Sequence, residues 1–187
     1  MLSVLYQSSA YPDIAAFGRS MPGHLDREKV EIGGFAGGFF AIWVPSPIDA
    51  LAKQAMMSQP SYDLPLPPAI DTGPALGVAL AQAGLLHRLE GAGWLTICTS
   101  VASIETAITK GQLAAIMHME GAEAIDRDFI NLDIFRRAGL RSLGPVWSRP
   151  NHFGYGVPFR FPSSGDIGPG LTEAGIRLVG YCCLLYT

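Results

Sequence analysis

The chain has 187 residues, of which 49% are hydrophobic and 16% are charged, and its formal net charge is −3 at pH 7. A chain of this length can bury one sizeable core, and its apolar composition excludes a disordered protein. The small acidic excess excludes a basic surface that could neutralise nucleic-acid phosphates. We therefore expect one globular domain that does not bind nucleic acid.

The cysteines and the N-terminal region carry no export or membrane signal. Cys98, Cys182 and Cys183 are odd in number and two are adjacent, so they predict neither a disulfide framework nor a zinc finger. The first 20 residues lack a basic segment followed by a long apolar stretch, as a secretory signal would have. The longest uncharged run, residues 32–48, is interrupted by glycines and prolines and predicts no membrane span. We expect a soluble, cytoplasmic protein.

The first predicted strand follows a glycine-rich stretch. Residues 1–31 are weakly patterned, and the glycines of residues 33–38 then lead into Phe39–Val44, an aromatic and β-branched strand that Pro45 ends. Because a phosphate loop follows a strand and opens a helix, glycines that precede a strand indicate close backbone approach or a bulge instead. Prolines then predict a loop at Pro60–Pro68.

Predicted helices and strands alternate along the rest of the chain. Ser103 is the predicted N-cap of one helix and Thr172 of the last one, and Phe153–Gly170 is predicted to be a long loop. The predicted helices and strands are, in order, helix Thr72–Ala92, strand Trp94–Cys98, helix Ser103–Lys110, strand Leu113–Met119, helix Ile130–Arg137, strand Leu140–Val146 and a helix that starts at Leu171–Gly175. This alternation predicts an α/β protein with βαβ units and a parallel sheet.

The strand Leu113–Met119 is an apolar run that ends on Glu120 and Gly121. A short aliphatic run closed by glycine predicts a strand that is buried on both faces, as in a parallel sheet. A glutamate at the C-terminal end of such a strand lies where barrel and open α/β enzymes place their chemistry. The alternative is a carboxylate that caps the following helix, and the local sequence does not decide between the two.

Two pairs of a histidine and an acidic residue could contribute to a metal site. His118 and Glu120 alternate along one strand, so their side chains point to the same face and could bind a metal. The alternative for His118 is a buried histidine that bonds a backbone group. His24 and Asp26 form a second pair with imidazole and carboxylate ligands, although two-residue matches of this type often arise by chance.

Four sequence blocks stand out along the chain. They are the glycine-rich turn and strand Gly33–Pro45, the Glu-Gly segment Met119–Ala122, the helix and Gly-x-Arg strand Leu132–Leu143, and the Gly-Leu-Thr-x-x-Gly segment Gly170–Gly175. The blocks resemble signatures of the membrane (renal) dipeptidase family, peptidase family M19. They occur in the family's order, cover about residues 22–180, and are specific together although each is weak alone.

The resemblance implies a metal-dependent (β/α)8 TIM barrel that hydrolyses dipeptides, of which residues 1–187 form a single partial domain. Sites of this family hold two zinc ions that are bridged by a glutamate and by a water or hydroxide. Two such cations acidify the water, polarise the scissile carbonyl and stabilise the developing oxyanion. Glu120 matches the bridging glutamate, so the resemblance implies that it is the catalytic zinc ligand and that His118 is a packing neighbour.

The chain also departs from the family pattern. The family's first strand carries a His-x-Asp ligand pair well upstream of the glycine-rich turn, but residues 1–20 contain no histidine, and His24 and Asp26 lie too close to that turn. The family's other two ligands are histidines on later strands than this chain contains. Trp147 stands where a substrate-contacting histidine is expected, which leaves His152 as a displaced candidate for substrate binding.

These departures and the length predict a truncated family member. A (β/α)8 barrel needs about 250 residues, and only about half of its strands can be counted here. We expect weak zinc binding, little dipeptidase activity and, because strand edges stay unpaired, poor solubility or homo-oligomers. One alternative is a non-catalytic remnant or interaction protein that keeps part of the fold. Another is a different metal-dependent amidohydrolase that uses His118 and Glu120.

Overall fold

The computed structural model describes residues 1–7, 13–21, 23–46 and 50–185. The helices are α1 Leu2–Gln7, α2 Ala15–Arg19, α3 Arg27–Gly33, α4 Ala50–Met57, α5 Thr72–Gly91, α6 Val101–Thr109, α7 Ile130–Arg137 and α8 Glu173–Leu184. The strands are β1 Gly37–Trp43, β2 Tyr62–Leu64, β3 Leu95–Ile97, β4 Leu113–Glu120, β5 Leu140–Gly144 and β6 Phe159–Phe161. None of the described helices is long and apolar enough to cross a bilayer; residues 47 and 48 of the uncharged run lie outside the described ranges.

Strand β4 is the centre of a parallel sheet. One edge of β4 pairs with β1 over its whole length, from Gly37 opposite Ala114 to Trp43 opposite Glu120. The other edge pairs first with β3 and then with β5, whose Gly144 lies opposite Glu120. The described part of the chain thus contains an open parallel sheet in which three strands end together at Glu120, as expected for part of a barrel.

The two faces of β4 differ in burial. Met117 and Met119 are buried in the main core, where they join apolar side chains of α1, α5 and α7. On the opposite face, Ala114 and Ile116 contact a smaller cluster with α6, whereas His118 and Glu120 are only half-buried. The prediction that the strand is buried on both faces is therefore wrong for its C-terminal half, where His118 and Glu120 remain partly exposed.

Several short elements are absent from the sequence prediction. Helices α1, α2 and α3 occupy the region that the sequence leaves weakly patterned, and β2 and β6 lie within the two predicted loops. The two strands pair antiparallel with Tyr62 opposite Phe161, and Asp63 and Arg160 form an ion pair between them. Strands of three residues are too short to show the alternation that identifies a strand, so only their distant partner defines them.

The helix caps correct one prediction and confirm another. Ser100, and not Ser103, is the N-cap of α6: each serine bonds the other's backbone N–H, which forms a capping box. Thr172 is the N-cap of α8 as predicted, and its hydroxyl accepts a hydrogen bond from the N–H of Gly175 at 3.1 Å. All three cysteines are free, and Cys98 is buried.

Gly37, the first residue of β1, allows the close backbone approach that the sequence predicts. A Cβ atom added at Gly37 would lie 2.5 Å from the carbonyl oxygen of Ala114 on the neighbouring strand. Only glycine allows β1 and β4 to pair at this distance at that end of the sheet. The glycines further upstream have another role: Gly33 is the last residue of α3, and Gly34 is its C-cap residue in the left-handed conformation.

Substitution of Gly175, in the first turn of α8, tests how tightly the Gly-Leu-Thr-x-x-Gly segment is packed. A Cβ atom at this position would clash with the backbone oxygen of Phe153. We therefore expect Gly175→Ala to lower the free energy of unfolding by about 1–3 kcal/mol, the usual cost of overpacking.

Gly180 in the same helix provides the matched control, since an added Cβ there meets nothing within 4 Å. We expect Gly180→Ala to be neutral or to stabilise by up to about 1 kcal/mol through helix propensity. Urea unfolding of both variants checks the pair, and equal stabilities would contradict the contact between α8 and the loop before it.

Candidate functional site

Glu120 is held at the C-terminal end of the central strand by a turn that only glycine accommodates readily. Gly121 has φ = 88°, and its N–H donates to the carbonyl oxygen of Gly144 at 3.0 Å. The N–H of Ala122 then donates to the carbonyl oxygen of Pro145 at 3.1 Å. The Glu-Gly signature is thus a strand end that is pinned to the end of β5.

The carboxylate of Glu120 has no hydrogen-bond or ion-pair partner among the residues that the structure describes. It does not cap the following helix. That role belongs to Asp126, whose carboxylate accepts hydrogen bonds from the N–H groups of Asp128, Ile130 and Asn131 at 2.8–3.0 Å. The capping alternative for Glu120 is therefore wrong, and a half-buried carboxylate at a strand end is left with its acceptor oxygens available.

A cavity of about 280 Å³ lies beside Glu120. Its walls come from Met1 and the start of α1, from the segments on either side of α3, and from β1. Besides Glu120, the lining residues are Met1, Leu2, Ser3, Leu25, Phe35, Phe39, Phe40, Ala41 and Trp43. No other carboxylate and no histidine among the described residues lines this cavity.

His118 lies two residues before Glu120 on the same face of β4, as the alternation predicts. Its Nδ1 atom lies 2.9 Å from the hydroxyl oxygen of Ser142 on β5, and its ring packs edge-on against Phe39. These contacts fix the imidazole between two strands. They fit the packing role that the family resemblance implies for His118.

His24 and Asp26 do not form a metal half-site. Asp26 is buried and is the N-cap of α3, where it accepts from the N–H of Lys29 and pairs with its ammonium at 2.6 Å. Hydrogen bonds from the Lys29 side chain, and then from the backbone N–H groups of Lys29 and Met21, lower the pKa of Asp26 to about 2. His24 is exposed. The Asp26 carboxylate therefore caps a helix N-terminus, which agrees with the position of this pair too close to the glycine-rich turn to be the family's His-x-Asp ligand pair.

His152 and Trp147 do not line the Glu120 cavity. His152 accepts a hydrogen bond from the Nε–H of Arg127 at 2.8 Å and lines a different cavity, of about 210 Å³. Trp147 packs edge-on against Trp43 and Phe159. The structure does not bring His152 to the Glu120 cavity, and its role in substrate binding stays a prediction.

The described residues do not by themselves fit a two-zinc site. No group of three or more histidine, cysteine, aspartate or glutamate side chains in the described ranges is arranged to hold a metal ion. Catalytic zinc sites take about three protein ligands for each ion, whereas Glu120 alone offers one carboxylate at the strand ends. We therefore derive no catalytic step through zinc from these residues.

A buried ion pair beside the strand ends is absent from the sequence prediction. Arg149 and Glu123 lie 2.9 Å apart with both side chains almost fully buried, and Glu123 Oε2 has no hydrogen-bond partner. Arg149 also donates to the carbonyl oxygen of Val44 and to the hydroxyl of Ser46, both at 2.8 Å. It therefore ties the segments that follow β1, β4 and β5 together. No short sequence pattern signals this pair, since its members are 26 positions apart.

Two solved structures with a similar fold are those of a metallo peptidase and a dipeptidase. One, from Rhodobacter sphaeroides, is a metallo peptidase liganded with a phosphinate mimic of the dipeptide L-Ala-D-Ala. It is 50% identical, has a TM-score of 0.92, and is matched over 98% of this chain and 53% of its own. Another, dipeptidase AC of family M19, is 49% identical with a TM-score of 0.89, over 98% of this chain and 52% of its own. These matches confirm the prediction of a partial TIM-barrel-like metallohydrolase fold.

Sequence comparisons agree with the structural ones. A protein of Acinetobacter calcoaceticus, known as the uncharacterized protein in the PQQ-III 3′ region, is 37% identical over 163 residues, which are 86% of this chain and 50% of that protein. The chain thus spans about half the length of the relatives that it matches. The model of the membrane dipeptidase family (peptidase family M19) matches residues 3–182. The chain belongs to the membrane dipeptidase family, peptidase family M19.

Proposed function

We propose that this chain is the Glu120-bearing part of a zinc-dependent dipeptidase. The observation that carries the proposal is the free Glu120 carboxylate at the end of the central strand, within the family's Glu-Gly signature. In the complete site, Glu120 would be one of the residues that hold zinc, and zinc held there would supply an acidified water for hydrolysis of the peptide bond. The substrate would be a dipeptide, since the Rhodobacter sphaeroides relative binds a mimic of one.

The chain by itself would be weakly active or inactive in this proposal. The described residues offer one carboxylate where a binuclear site needs several ligands, and the chain spans about half of its relatives. The remaining ligands would come from residues that this chain does not supply. A non-catalytic remnant that keeps part of the fold is the second candidate, and the same shortage of ligands favours it.

Zinc binding to the isolated chain distinguishes part of a zinc-dependent dipeptidase from a non-catalytic remnant. We expect equilibrium dialysis to show weak binding of less than one zinc ion per chain, and Glu120→Gln to abolish it because the carboxylate is the ligand. His118→Gln is expected to leave the binding unchanged, since its imidazole packs between Ser142 and Phe39.

The exposed Glu105 on α6 supplies the control, because Glu105→Gln removes a carboxylate far from the strand ends. A loss of zinc in the His118 variant as well as in the Glu120 variant would instead favour the amidohydrolase that uses His118 and Glu120. Unchanged zinc binding in the Glu120 variant would contradict the proposal, and undetectable binding in every variant would favour the remnant.

A further inference from the structure

A buried amide holds the end of β1 that lies beside Glu120. Gln82 belongs to α5 and is completely buried. Its Oε1 atom accepts a hydrogen bond from the N–H of Trp43 at 3.0 Å, and its Nε2 group donates to the carbonyl oxygen of Trp43 at 2.7 Å. One side chain thus bonds both main-chain polar groups of a residue that is 39 positions away in the sequence.

The two bonds take the place that a neighbouring strand would have at this end of β1. Strand β1 is the last strand on its side of the described sheet, and β4 is its partner on the other side. The outer main-chain groups of an edge strand need other partners where water does not reach them. At Trp43 the amide of Gln82 supplies these partners, so the end of β1 is fixed to α5.

The core face of α5 has no need of an amide for packing. The residues that α5 buries near Gln82 are apolar and include Ala79, Ala83 and Leu86. A buried amide costs free energy unless its donors and acceptors are bonded, whereas methionine has a similar shape without that cost. The role of Gln82 is therefore one that requires hydrogen bonds, namely to fix the main chain of Trp43.

Trp43 connects Gln82 to the candidate site. It lies opposite Glu120 in the pairing of β1 and β4, and it lines the same cavity as Glu120. Its indole packs edge-on against Trp147, with ring centroids 6.1 Å apart. A shift of the Trp43 main chain would carry the indole with it and change the wall beside Glu120.

We infer that Gln82 is a positioning residue of the Glu120 site. Its amide holds the main chain of Trp43, and Trp43 forms a wall that orients a substrate beside Glu120. Gln82 does not line the cavity itself, so it acts through Trp43. The effect on the reaction rests on the proposed dipeptidase function, whereas the effect on Trp43 is independent of zinc and substrate.

Gln82→Glu tests the two hydrogen bonds, because glutamate keeps the shape of the side chain while its bonding depends on pH. A protonated carboxyl group accepts from the N–H of Trp43 and donates to its carbonyl oxygen, as the amide does, but a carboxylate can only accept. Burial raises the pKa of a carboxyl group. We therefore expect Trp43 to be held as in the parent chain at low pH and to be released as the pH rises through that raised pKa.

Fluorine NMR of the full chain, labelled with 5-fluorotryptophan, measures this release. The chain has three tryptophans, and Trp43→Phe identifies the resonance of Trp43. In Gln82→Glu we expect this resonance to match that of the parent chain at low pH and to move away as the pH rises. In Gln82→Met, which cannot form either bond, it should differ from the parent resonance at every pH.

Gln112→Glu is the matched control. Gln112 is exposed and precedes β4 at the end of the strand opposite Glu120, where it accepts from the hydroxyl of Thr96. The same substitution there should leave the Trp43 resonance as in the parent chain at each pH. A Trp43 resonance that is unchanged in both Gln82 variants at every pH would overturn the positioning role.

The effect on the reaction is measured in a complete barrel, in which this chain is joined to the part of the Rhodobacter sphaeroides peptidase that it does not match. We expect Gln82→Met to lower kcat/KM for L-Ala-D-Ala by about 10- to 100-fold, as for residues that only orient a site. Bound zinc should be retained, and Gln82→Glu should regain the parent rate as the pH falls.

A folded Gln82→Met barrel with the kcat/KM of the parent barrel would overturn the role of Gln82 in the reaction. A parent barrel without activity would contradict the proposed function instead. The fluorine spectrum of the full chain, which needs neither zinc nor substrate, would then still decide whether Gln82 positions Trp43.

Discussion

Replacement of Arg149 by methionine is expected to lower the free energy of unfolding by about 3–5 kcal/mol, the usual cost of removing one partner of a buried ion pair. The methionine fills a similar volume but leaves the Glu123 carboxylate buried without a cation. The carbonyl of Val44 and the hydroxyl of Ser46 lose their donors as well. The segments that flank Glu120 are then no longer held together.

A double-mutant cycle measured by urea unfolding checks the origin of this loss. The double variant Glu123→Gln/Arg149→Met should lose less free energy of unfolding than the two single variants lose together. The reason is that the double variant no longer buries a carboxylate without a cation. Arg160→Met is the control: its partner Asp63 is exposed, so the loss should be at most about 1 kcal/mol. Similar losses for Arg149→Met and Arg160→Met would contradict a structural role for the buried pair.

The central strand and its carboxylate can be predicted from the sequence. The apolar run before Glu120 is long enough to identify a strand, and Gly121 marks its end. The N-cap Thr172 is equally local, because a hydroxyl residue directly precedes the helical pattern. The sequence Ser100–Ser103 is ambiguous, since either serine could be the cap and only the geometry shows that the two form a capping box.

The features that the sequence does not reveal depend on distant partners. Strand β2 is defined only by β6, almost 100 residues later. The buried pair of Glu123 and Arg149 likewise needs the fold to bring two loops together. A cavity of about 480 Å³ that is lined by Lys53, Trp147 and Phe159 likewise combines α4, β6 and the loops after β1 and β5, none of which has a recognisable motif. These loops follow strands β1 and β5, where the fold places functional residues.

Replacement of Glu120 is the second change for which we expect a large effect, here on the dipeptidase activity of a complete barrel. A chimera in which residues 1–180 of this chain replace the matched half of the Rhodobacter sphaeroides peptidase would supply the residues that this chain lacks. The sequences are 50% identical and the backbones agree with a TM-score of 0.92, so the two halves should pack. Mutation of residues that only bond to metal ligands costs about 10- to 100-fold, so if Glu120 is a metal ligand as proposed, its loss should cost more than about 100-fold in kcat/KM.

Hydrolysis of L-Ala-D-Ala by this chimera, with zinc present, is the most direct test of Glu120 as the catalytic metal ligand. We predict that the chimera hydrolyses the dipeptide, that Glu105→Gln leaves the rate unchanged, and that Glu120→Gln loses more than about 100-fold in kcat/KM together with bound zinc. Circular dichroism and thermal unfolding establish that each variant is folded. A folded Glu120→Gln chimera that keeps its zinc and hydrolyses the dipeptide at the parent rate would contradict the proposal.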